Sequence, residues 1–528
     1  MQVVCIETWL CKRSIVSSNY GVNECPRIFF DQECCEVATV EQRGMHAAFA
    51  LAEAGVGDGD VVAVLLRNEP AFVEALTCIR CLNAVRVLVP WHLELPEVLE
   101  IITAVRPALL IGHADLMAPL VGRLPSGARL RLAVVDVPDV ISKAYELGSL
   151  PVGFPPGWLR WSMLVESAGI RPLPPVPPRH ISLSSGSTGT PKVMRWQGTP
   201  RWQRQRRSDL DEAPPIETTI ISAPMFHGAQ YGLFMHAWFS RANHVILAKF
   251  DAEIFLAAVE AHCATHAYAV PTMFNRLLRL PEDVRRQYDL SSLNHIMHTG
   301  AICPCDVKRA MIEWLGPVIW EVYGCSEVST ISVCSSAAWL RKPGTVGRPI
   351  HQVAILDEGD NPCAVGQRGR IFVDVTGQPR LTFNGVSAPT VVVDGLEMIA
   401  AGDIGWLDEE GDLFVAGRVD DLINTGRLKV YPLEIENEIL THPQVLDCAV
   451  FALPDDEFGQ AVGAVVEVAP AWTGIERDIR EFLMGRISEH KIPARIWVQS
   501  STFRSASGKF NRGGLARRCA ATEAAGAL

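Results

Sequence analysis

The chain has 528 residues, a formal net charge of −11 and 48% hydrophobic residues. At roughly 150 residues per domain, this length predicts three or four folding units with room for a large buried core. The acidic balance argues against a nucleic-acid partner, and the absence of any run of about 18 apolar residues argues against a membrane span.

The N-terminal segment has Glu7 and the pair Lys12-Arg13 around a short apolar stretch, which makes a poor signal peptide. The 15 cysteines are odd in number and scattered, which indicates free thiols in a reducing compartment rather than a disulfide framework. We therefore expect a cytoplasmic protein.

Strand and helix patterns alternate over roughly the first 340 residues. The apolar run 61–66 predicts a buried strand, and Pro70 suits the first turn of a helix that runs to about Cys81. That helix would contain the C-x-x-C pair Cys78 and Cys81, so we favour buried thiols there over a metal or redox site. Further strand candidates lie at 87–89, 108–111, 132–135, 181–183, 220–223, 245–247 and 267–270. This alternation predicts parallel sheets covered by helices.

From about 345 to 417 the chain has short β-like runs separated by turn residues, which indicates a small β-rich subdomain. From about 421 it has the pattern of a compact α+β unit, with helices predicted at 432–440 and 476–487. The predicted fold class is therefore α/β. It combines a large N-terminal domain of helix-covered, mostly parallel sheets and a β subdomain with a small α+β C-terminal domain.

Residues 184–192 read Ser-Ser-Gly-Ser-Thr-Gly-Thr-Pro-Lys and follow an apolar run. Glycines let backbone N–H groups approach phosphate oxygens, hydroxyls add donors, and Lys192 adds a positive charge. The segment is not the G-x-x-x-x-G-K-[ST] loop, because Lys192 follows a proline and no Ser or Thr comes after it. We predict a phosphate-binding loop rather than a flexible linker.

This segment resembles the phosphate-binding loop of the adenylate-forming superfamily, which includes acyl-CoA synthetases, firefly luciferase and the adenylation domains of peptide synthetases. Other segments resemble further motifs of that superfamily, in the same order, and the match spans roughly residues 40 to 515. These segments are 223–228, 300–302, 321–327, 401–403, 417–421 and 504–509. The acyl-CoA synthetase branch is the closest in appearance.

The resemblance implies a role for each matching residue. ATP or AMP would be bound by Ser184, Ser185, Gly186, Ser187, Thr188, Gly189, Lys192, Gly300, Ala301, Glu321, Val322, Tyr323, Gly324, Ser326, Asp403 and Arg418. Catalytic roles would fall to Lys509, His227, Thr188 and Glu327, and Glu327 would also hold Mg²⁺. Domain boundaries would lie at 1–417 for the adenylation core, 418–421 for a hinge with Asp420 as pivot, and 422–528 for a mobile C-terminal domain.

The implied reaction joins an acid to AMP from ATP, with release of pyrophosphate, and then transfers the activated group to a small-molecule acceptor. Coenzyme A is the expected acceptor. However, Gly426-Arg427 stands where the superfamily usually has two glycines beside the acceptor channel. An alternative is a diazotase of the same superfamily, which would activate nitrite and transfer it to an aryl amine. A non-catalytic scaffold is a third reading, but Lys509, Glu327 and Asp403 are all retained. Both monomer and homodimer remain open.

Overall fold

The computed structural model describes residues 23–124, 130–150, 153, 155–174, 179–184, 192–198, 214–426, 428–455, 459–468, 475–500, 503–504 and 511–524. Four sheets organise these residues. Two large sheets belong to the N-terminal part, an antiparallel sheet follows them, and a small mixed sheet forms the C-terminal unit.

The first sheet has eight strands, of which the central six are parallel and the two edge strands are antiparallel to their neighbours. In spatial order its strands are Ser329–Ser335, Ile319–Cys325, His295–His298, His266–Ala269, Thr218–Ile221, Asn243–Ile246, Arg27–Phe30 and Glu33–Glu36.

The second sheet has nine strands, of which the last six in spatial order are parallel. They are Val386–Ser387, Leu381–Phe383, Lys192–Trp196, Arg179–Ser184, Val85–Leu88, Val61–Leu65, Leu109–His113, Arg131–Val135 and Leu159–Arg160. Side chains of both sheets, such as Ile28 and Val62, belong to one apolar core, so the two sheets pack together through shared helices.

Helices cover both large sheets. They are Val37–Glu53, Pro70–Cys81, Leu95–Val105, Ala114–Met117, the 3₁₀ turn Ala118–Leu120, Asp139–Ala144, Trp161–Leu164, Gly228–Phe239, Ala252–Ala261, Pro271–Leu278, Glu282–Arg285, Cys305–Leu315 and Ser336–Arg341. Local chemistry explains several starts: Asp251, for example, accepts hydrogen bonds from the amides of Glu253 and Ile254, each at 3.0 Å. In the part of the chain that the structure describes, none of the helices combines the length and apolar character needed to cross a membrane.

The antiparallel sheet corresponds to most of the predicted β subdomain. Its strands are Thr345–Gly347, Leu413–Arg418, Leu396–Leu407, Gly369–Asp374 and Val353–Leu356, with Thr390–Val393 paired to Leu396–Leu407. Two strands from the same stretch of sequence belong to the nine-stranded sheet instead. Leu381–Phe383 pairs with Lys192–Trp196, and Val386–Ser387 pairs with Leu381–Phe383 at the edge of that sheet. The β-rich segment is therefore divided between two sheets.

The C-terminal sheet contains Leu428–Val430, Ile423–Thr425, Gly459–Val468 and Val445–Asp455, with Arg495–Gln499 parallel to Gly459–Val468. Its helices are Pro432–Leu440, Ile475–Leu483, the 3₁₀ turn Glu489–Lys491 and Arg512–Ala524. The predicted fold class is confirmed: a large domain of mostly parallel sheets precedes a smaller α+β unit.

The cysteines of the described residues are all free. Cys78 and Cys81 lie in the helix Pro70–Cys81 and are buried. Burial raises the pKa of Cys78 well above its usual value and raises that of Cys81 to about 12. Both groups are therefore protonated thiols near neutral pH, which disfavours a redox or metal role for this C-x-x-C pair.

Candidate active site

A cluster of three predicted site residues lies where the eight-stranded sheet meets the antiparallel sheet. Tyr323 lies on the strand Ile319–Cys325, and Asp403 and Arg418 face each other in register on two paired strands. The Tyr323 hydroxyl donates to Oδ2 of Asp403 at 2.7 Å, and Nη1 of Arg418 lies 3.3 Å from Oδ1. Asp403 is only 6% exposed, so its carboxylate is a fixed, largely desolvated acceptor.

The electrostatics of this cluster are coupled. Burial raises the pKa of Asp403, while Arg418 and the Tyr323 hydroxyl oppose that shift. Burial and the neighbouring Asp403 raise the pKa of Tyr323 well above its usual value, so the phenol is neutral. For Arg418, partial desolvation lowers the pKa, but attraction to Asp403 and Glu327 exceeds it and raises the pKa overall. Glu327 therefore acts on the same cluster.

A tight hairpin carries Ser326 and Glu327 beside these residues. Cys325 pairs with Ser329, so residues 326–328 form the turn, and the pairing register shifts between Tyr323 and Gly324. A Cβ at Gly324 would stand 1.9 Å from the carbonyl oxygen of Ser329. Only glycine allows the two backbones to approach this closely, so Gly324 has a definite structural role.

Lys192 opens the strand Lys192–Trp196, and its backbone is paired in register with that of Ser184. Lys192 is exposed, and its Nζ lies 6.0 Å from the ring centroid of Phe383. The predicted loop residues Ser185, Gly186, Ser187, Thr188 and Gly189 lie outside the described residues. The structure therefore describes the two strands that flank this segment.

The loop before the helix Gly228–Phe239 carries His227, which precedes the first helical residue. Asn68, from the nine-stranded side, holds this loop with two 2.8 Å bonds, donating from Nδ2 to Ala223 O and accepting at Oδ1 from Met225 N. Asn68 is 4% exposed. One amide side chain thus fixes the loop of the first sheet to the second sheet and sets the position of His227.

Gly300 and Ala301 follow the strand His295–His298 and are both exposed. Gly300 has φ +91°, a conformation that favours glycine. A Cβ at this position would lie 3.8 Å from the hydroxyl of Tyr268, a buried residue on the neighbouring strand His266–Ala269. Tyr268 carries no functional signal in the sequence, because a tyrosine in an apolar run is typical of a core strand.

Glu321 and Val322 precede Tyr323 on the same strand, but their side chains have internal partners. Nζ of Lys308 donates to Oε2 of Glu321 at 2.6 Å, and Nε2 of His298 lies 3.8 Å from the same oxygen. Lys308 is 0% exposed, and burial raises the pKa of Glu321. Val322 is part of the apolar core. The carboxylate of Glu321 is therefore committed to Lys308, which leaves only its backbone for a ligand.

The predicted hinge, residues 418–421, lies at the end of the strand Leu413–Arg418. The amide of Val419 donates to Gly402 O at 3.0 Å, Asp420 is exposed, and Asp421 accepts from Arg512 at 2.8 Å. Gly426, with φ +66°, lies in the turn between Ile423–Thr425 and Leu428–Val430. Arg427 and Lys509 lie outside the described residues.

Two ion pairs are among the contacts between the C-terminal unit and the rest of the chain. Arg368 lies 2.7 Å from Glu434, and its guanidinium carbon is 5.1 and 5.0 Å from the ring centroids of Trp406 and Tyr431. Lys429 also pairs with Glu358. We refer to these five residues and Glu358 as the interdomain seam.

Comparison with known proteins decides the family. A profile described as AMP-binding enzyme matches residues 36–378, and one described as AMP-binding enzyme C-terminal domain matches residues 434–509. This chain is a member of the AMP-binding enzyme family. The predicted relationship to adenylate-forming enzymes, closest to the acyl-CoA synthetase branch, is therefore confirmed.

Relatives of this AMP-binding enzyme include a feruloyl-CoA synthase from Amycolatopsis sp, 29% identical, covering 91% of the chain and 93% of the relative. An indoleacetate–CoA ligase from Aromatoleum aromaticum is 28% identical, covering 88% and 89%. Among solved structures, an anthranilate CoA ligase with anthranoyl-AMP has a TM-score of 0.77 at 23% identity, covering 98% of each chain, which supports the fold. These relatives do not favour the diazotase alternative.

Proposed function

We propose that this enzyme activates a carboxylic acid with ATP as an acyl-AMP, releases pyrophosphate, and transfers the acyl group to coenzyme A. The observation that carries the proposal is the Tyr323–Asp403–Arg418 cluster, a buried carboxylate held by a phenol and a guanidinium at the junction of two sheets. The membership in the AMP-binding enzyme family and the CoA-ligase relatives support it.

In this proposal the nucleotide lies over the cluster. The carboxylate of Asp403 accepts hydrogen bonds from the ribose hydroxyls, because it is already oriented by Tyr323 and is poorly solvated. The ring of Tyr323 and the backbone of Glu321, Val322, Gly324, Gly300 and Ala301 contact the base. Arg418 offsets the negative charge of Asp403 and of the nearby phosphates.

The phosphates would be held by the segment from Ser184 to Gly189, by Lys192 and by Ser326. Glu327 is the proposed protein ligand of Mg²⁺. Among the described residues, no group of three or more His, Cys, Asp or Glu side chains could hold a metal ion. One carboxylate without a protein cage fits Mg²⁺, which in nucleotide sites is shared with phosphates and water. The bound ion would supply charge neutralisation at the phosphate oxygens.

In the first half-reaction a carboxylate oxygen of the acid attacks the α-phosphorus of ATP. The bond from that phosphorus to the oxygen that bridges the α- and β-phosphates breaks, and pyrophosphate leaves with the electron pair. Lys509 would neutralise oxygens of both reacting anions, because a lysine ammonium is a compact charge that can contact two groups. Thr188 contacts the phosphates, and His227 borders the acid.

In the second half-reaction the coenzyme A thiolate attacks the acyl carbon and AMP leaves. We propose that the C-terminal unit turns about Asp420 between the two steps, which removes Lys509 and brings the Gly426 turn to the acceptor path. Asp420 is exposed and Gly426 lies between two paired strands, both of which are compatible with this movement. Arg427 would border the path and contact a phosphate of coenzyme A.

The decisive experiment is an ATP–pyrophosphate exchange screen across aryl, indole and fatty acids and nitrite, followed by mass spectrometry with coenzyme A or an aryl amine. We expect exchange with an organic acid and a thioester product. The Lys509→Ala variant should fold normally and lose most exchange, whereas Lys143→Ala, at an exposed helix position, should retain it. A diazo product from nitrite, or full exchange by Lys509→Ala, would contradict the proposal.

A further inference from the structure

The hydroxyl of Tyr268 is a buried polar group without a hydrogen-bond partner among the described residues. Tyr268 is 0% exposed, and its backbone carbonyl, not its hydroxyl, accepts from Ser222 at 3.2 Å. Burying an unpaired hydroxyl is unfavourable, and phenylalanine would fill the same volume without that penalty. The presence of tyrosine instead of phenylalanine at this buried position therefore requires an explanation.

Its place in the sheet is specific. The strand His266–Ala269 lies between Thr218–Ile221, which leads to the His227 loop, and His295–His298, which leads to Gly300. All three strands are parallel, so their carboxyl ends meet at one edge, the edge where open α/β sheets bind ligands. The ring centroids of Tyr268 and His227 are 6.2 Å apart.

Gly300 leaves the phenol close to the exposed side of this edge. Gly300 is exposed and has no side chain, and an added Cβ would lie 3.8 Å from the Tyr268 hydroxyl and 3.6 Å from Cγ1 of Val270. A ligand atom seated against Gly300 can thus come near the hydroxyl from the side on which a larger residue would stand. Burial raises the pKa of Tyr268, so the group is a neutral donor and acceptor.

We propose that Tyr268 is a specificity-determining residue whose hydroxyl hydrogen-bonds a neutral polar substituent of the acid, such as a hydroxyl, amino or carbonyl group remote from the carboxylate. This inference rests on the proposed function, because it takes the edge between His227 and Gly300 as the acid site. It names the substrate class as polar-substituted acids rather than plain alkyl or aryl acids. A site built to pair a hydroxyl discriminates against the analogue that lacks it, because the protein group is then left unpaired.

The test uses matched acids: benzoic and 4-hydroxybenzoic, phenylacetic and 4-hydroxyphenylacetic, and cinnamic and 4-hydroxycinnamic acids. Pyrophosphate release at saturating ATP gives kcat/KM for the wild type, Tyr268→Phe and Tyr288→Phe. Tyr288 is a matched control, since its hydroxyl donates to Glu253 at 3.1 Å on the surface of the same domain.

For the best pair we expect the wild type and Tyr288→Phe to prefer the hydroxylated acid by at least about tenfold. Tyr268→Phe should bring that ratio close to one, with an unchanged KM for ATP and an unchanged or higher Tm. Equal ratios in wild type and Tyr268→Phe would overturn the inference while leaving the proposed function intact. Absence of turnover with every acid would instead contradict the proposed function, and this inference with it.

Discussion

The hydroxyl of Tyr323 and the carboxylate of Asp403 are joined by a 2.7 Å hydrogen bond although the residues are 80 positions apart and belong to different sheets. The bond connects the mostly parallel sheet to the antiparallel one at the level of the candidate site. The carboxylate is therefore oriented before any nucleotide binds, and its position depends on how the two sheets pack.

The first prediction concerns Asp403→Asn, which keeps the shape of the side chain and removes its charge. An amide accepts hydrogen bonds more weakly than a carboxylate and loses the attraction to Arg418. We expect the Kd for ATP or AMP, measured by isothermal titration calorimetry, to rise about 10- to 100-fold. The control is Asp394→Asn, in an exposed turn of the same sheet at φ +49°, which should bind like the wild type. Equal Kd values for both variants would show that Asp403 does not contribute to nucleotide binding.

The second prediction concerns Gly324→Ala. The added Cβ would meet the Ser329 carbonyl oxygen at 1.9 Å, so one backbone of the hairpin must move, at a cost of about 1–3 kcal/mol. We expect a lower Tm and at least a tenfold loss of kcat in pyrophosphate exchange, because Ser326 and Glu327 shift with the turn. Gly148→Ala, where an added Cβ meets nothing within 4 Å, serves as control. Wild-type kcat in Gly324→Ala would contradict the importance of this turn.

The third prediction concerns the buried pair of Lys308 and Glu321. Lys308→Met removes one partner and leaves the carboxylate of Glu321 buried on the strand Ile319–Cys325, which should destabilise the domain by about 3–5 kcal/mol. The double variant Lys308→Met/Glu321→Leu replaces both charges by apolar groups and should recover most of that loss. Urea unfolding midpoints measure both. Equal midpoints for the single and double variants would show that the pair is not coupled.

The fourth prediction concerns acid sensitivity. Burial lowers the pKa of His244 and of His266 to about 3, below the ordinary value of 6.5. Between those values the unfolded chain binds more protons than the folded one, so stability is full above pH 6.5 and falls as the pH drops towards 3. Each histidine contributes about 1.4 kcal/mol per pH unit in this window.

The check is the free energy of unfolding in urea at pH 7.5, 6.0 and 5.0. The variant His244→Phe, which places another ring beside Phe234 and Trp238, should show a pH slope smaller by about 1.4 kcal/mol per unit. If wild type and variant had the same slope between pH 6 and 5, His244 would not be a buried neutral imidazole in the folded state.

Local sequence predicted the elements whose signals are local. The helix Pro70–Cys81 begins and ends where expected, since proline marks its first turn, and the helix Pro432–Leu440 also matches. The pairing of Leu381–Phe383 with Lys192–Trp196 could not be predicted, because strands almost 190 residues apart leave no local signature. The predicted helix 476–487 ends earlier, at Leu483.

The candidate site shows the same division. Motif order identified Tyr323, Asp403 and Arg418, and the structure brings these three together, but the hydrogen bond between two of them arises only from the packing of sheets. Lys308 and Tyr268 were missed for a physical reason. A lysine in an amphipathic helix suggests a solvated side chain, and only the structure shows that Lys308 is buried and paired with Glu321. A tyrosine in an apolar strand suggests a core residue, and only the structure shows that the Tyr268 hydroxyl has no partner among the described residues.

The interdomain seam is built from opposite charges and a guanidinium beside two aromatic rings, with half-exposed partners such as Arg368 and Lys429. Dissolved ions weaken attraction between such groups, and the screening distance is about 8 Å at physiological ionic strength. Added salt will therefore weaken the ion pairs that hold the C-terminal unit against the N-terminal part, while the apolar cores of both parts stay unchanged. A higher ionic strength of the buffer should therefore make the C-terminal unit more mobile relative to the rest of the chain.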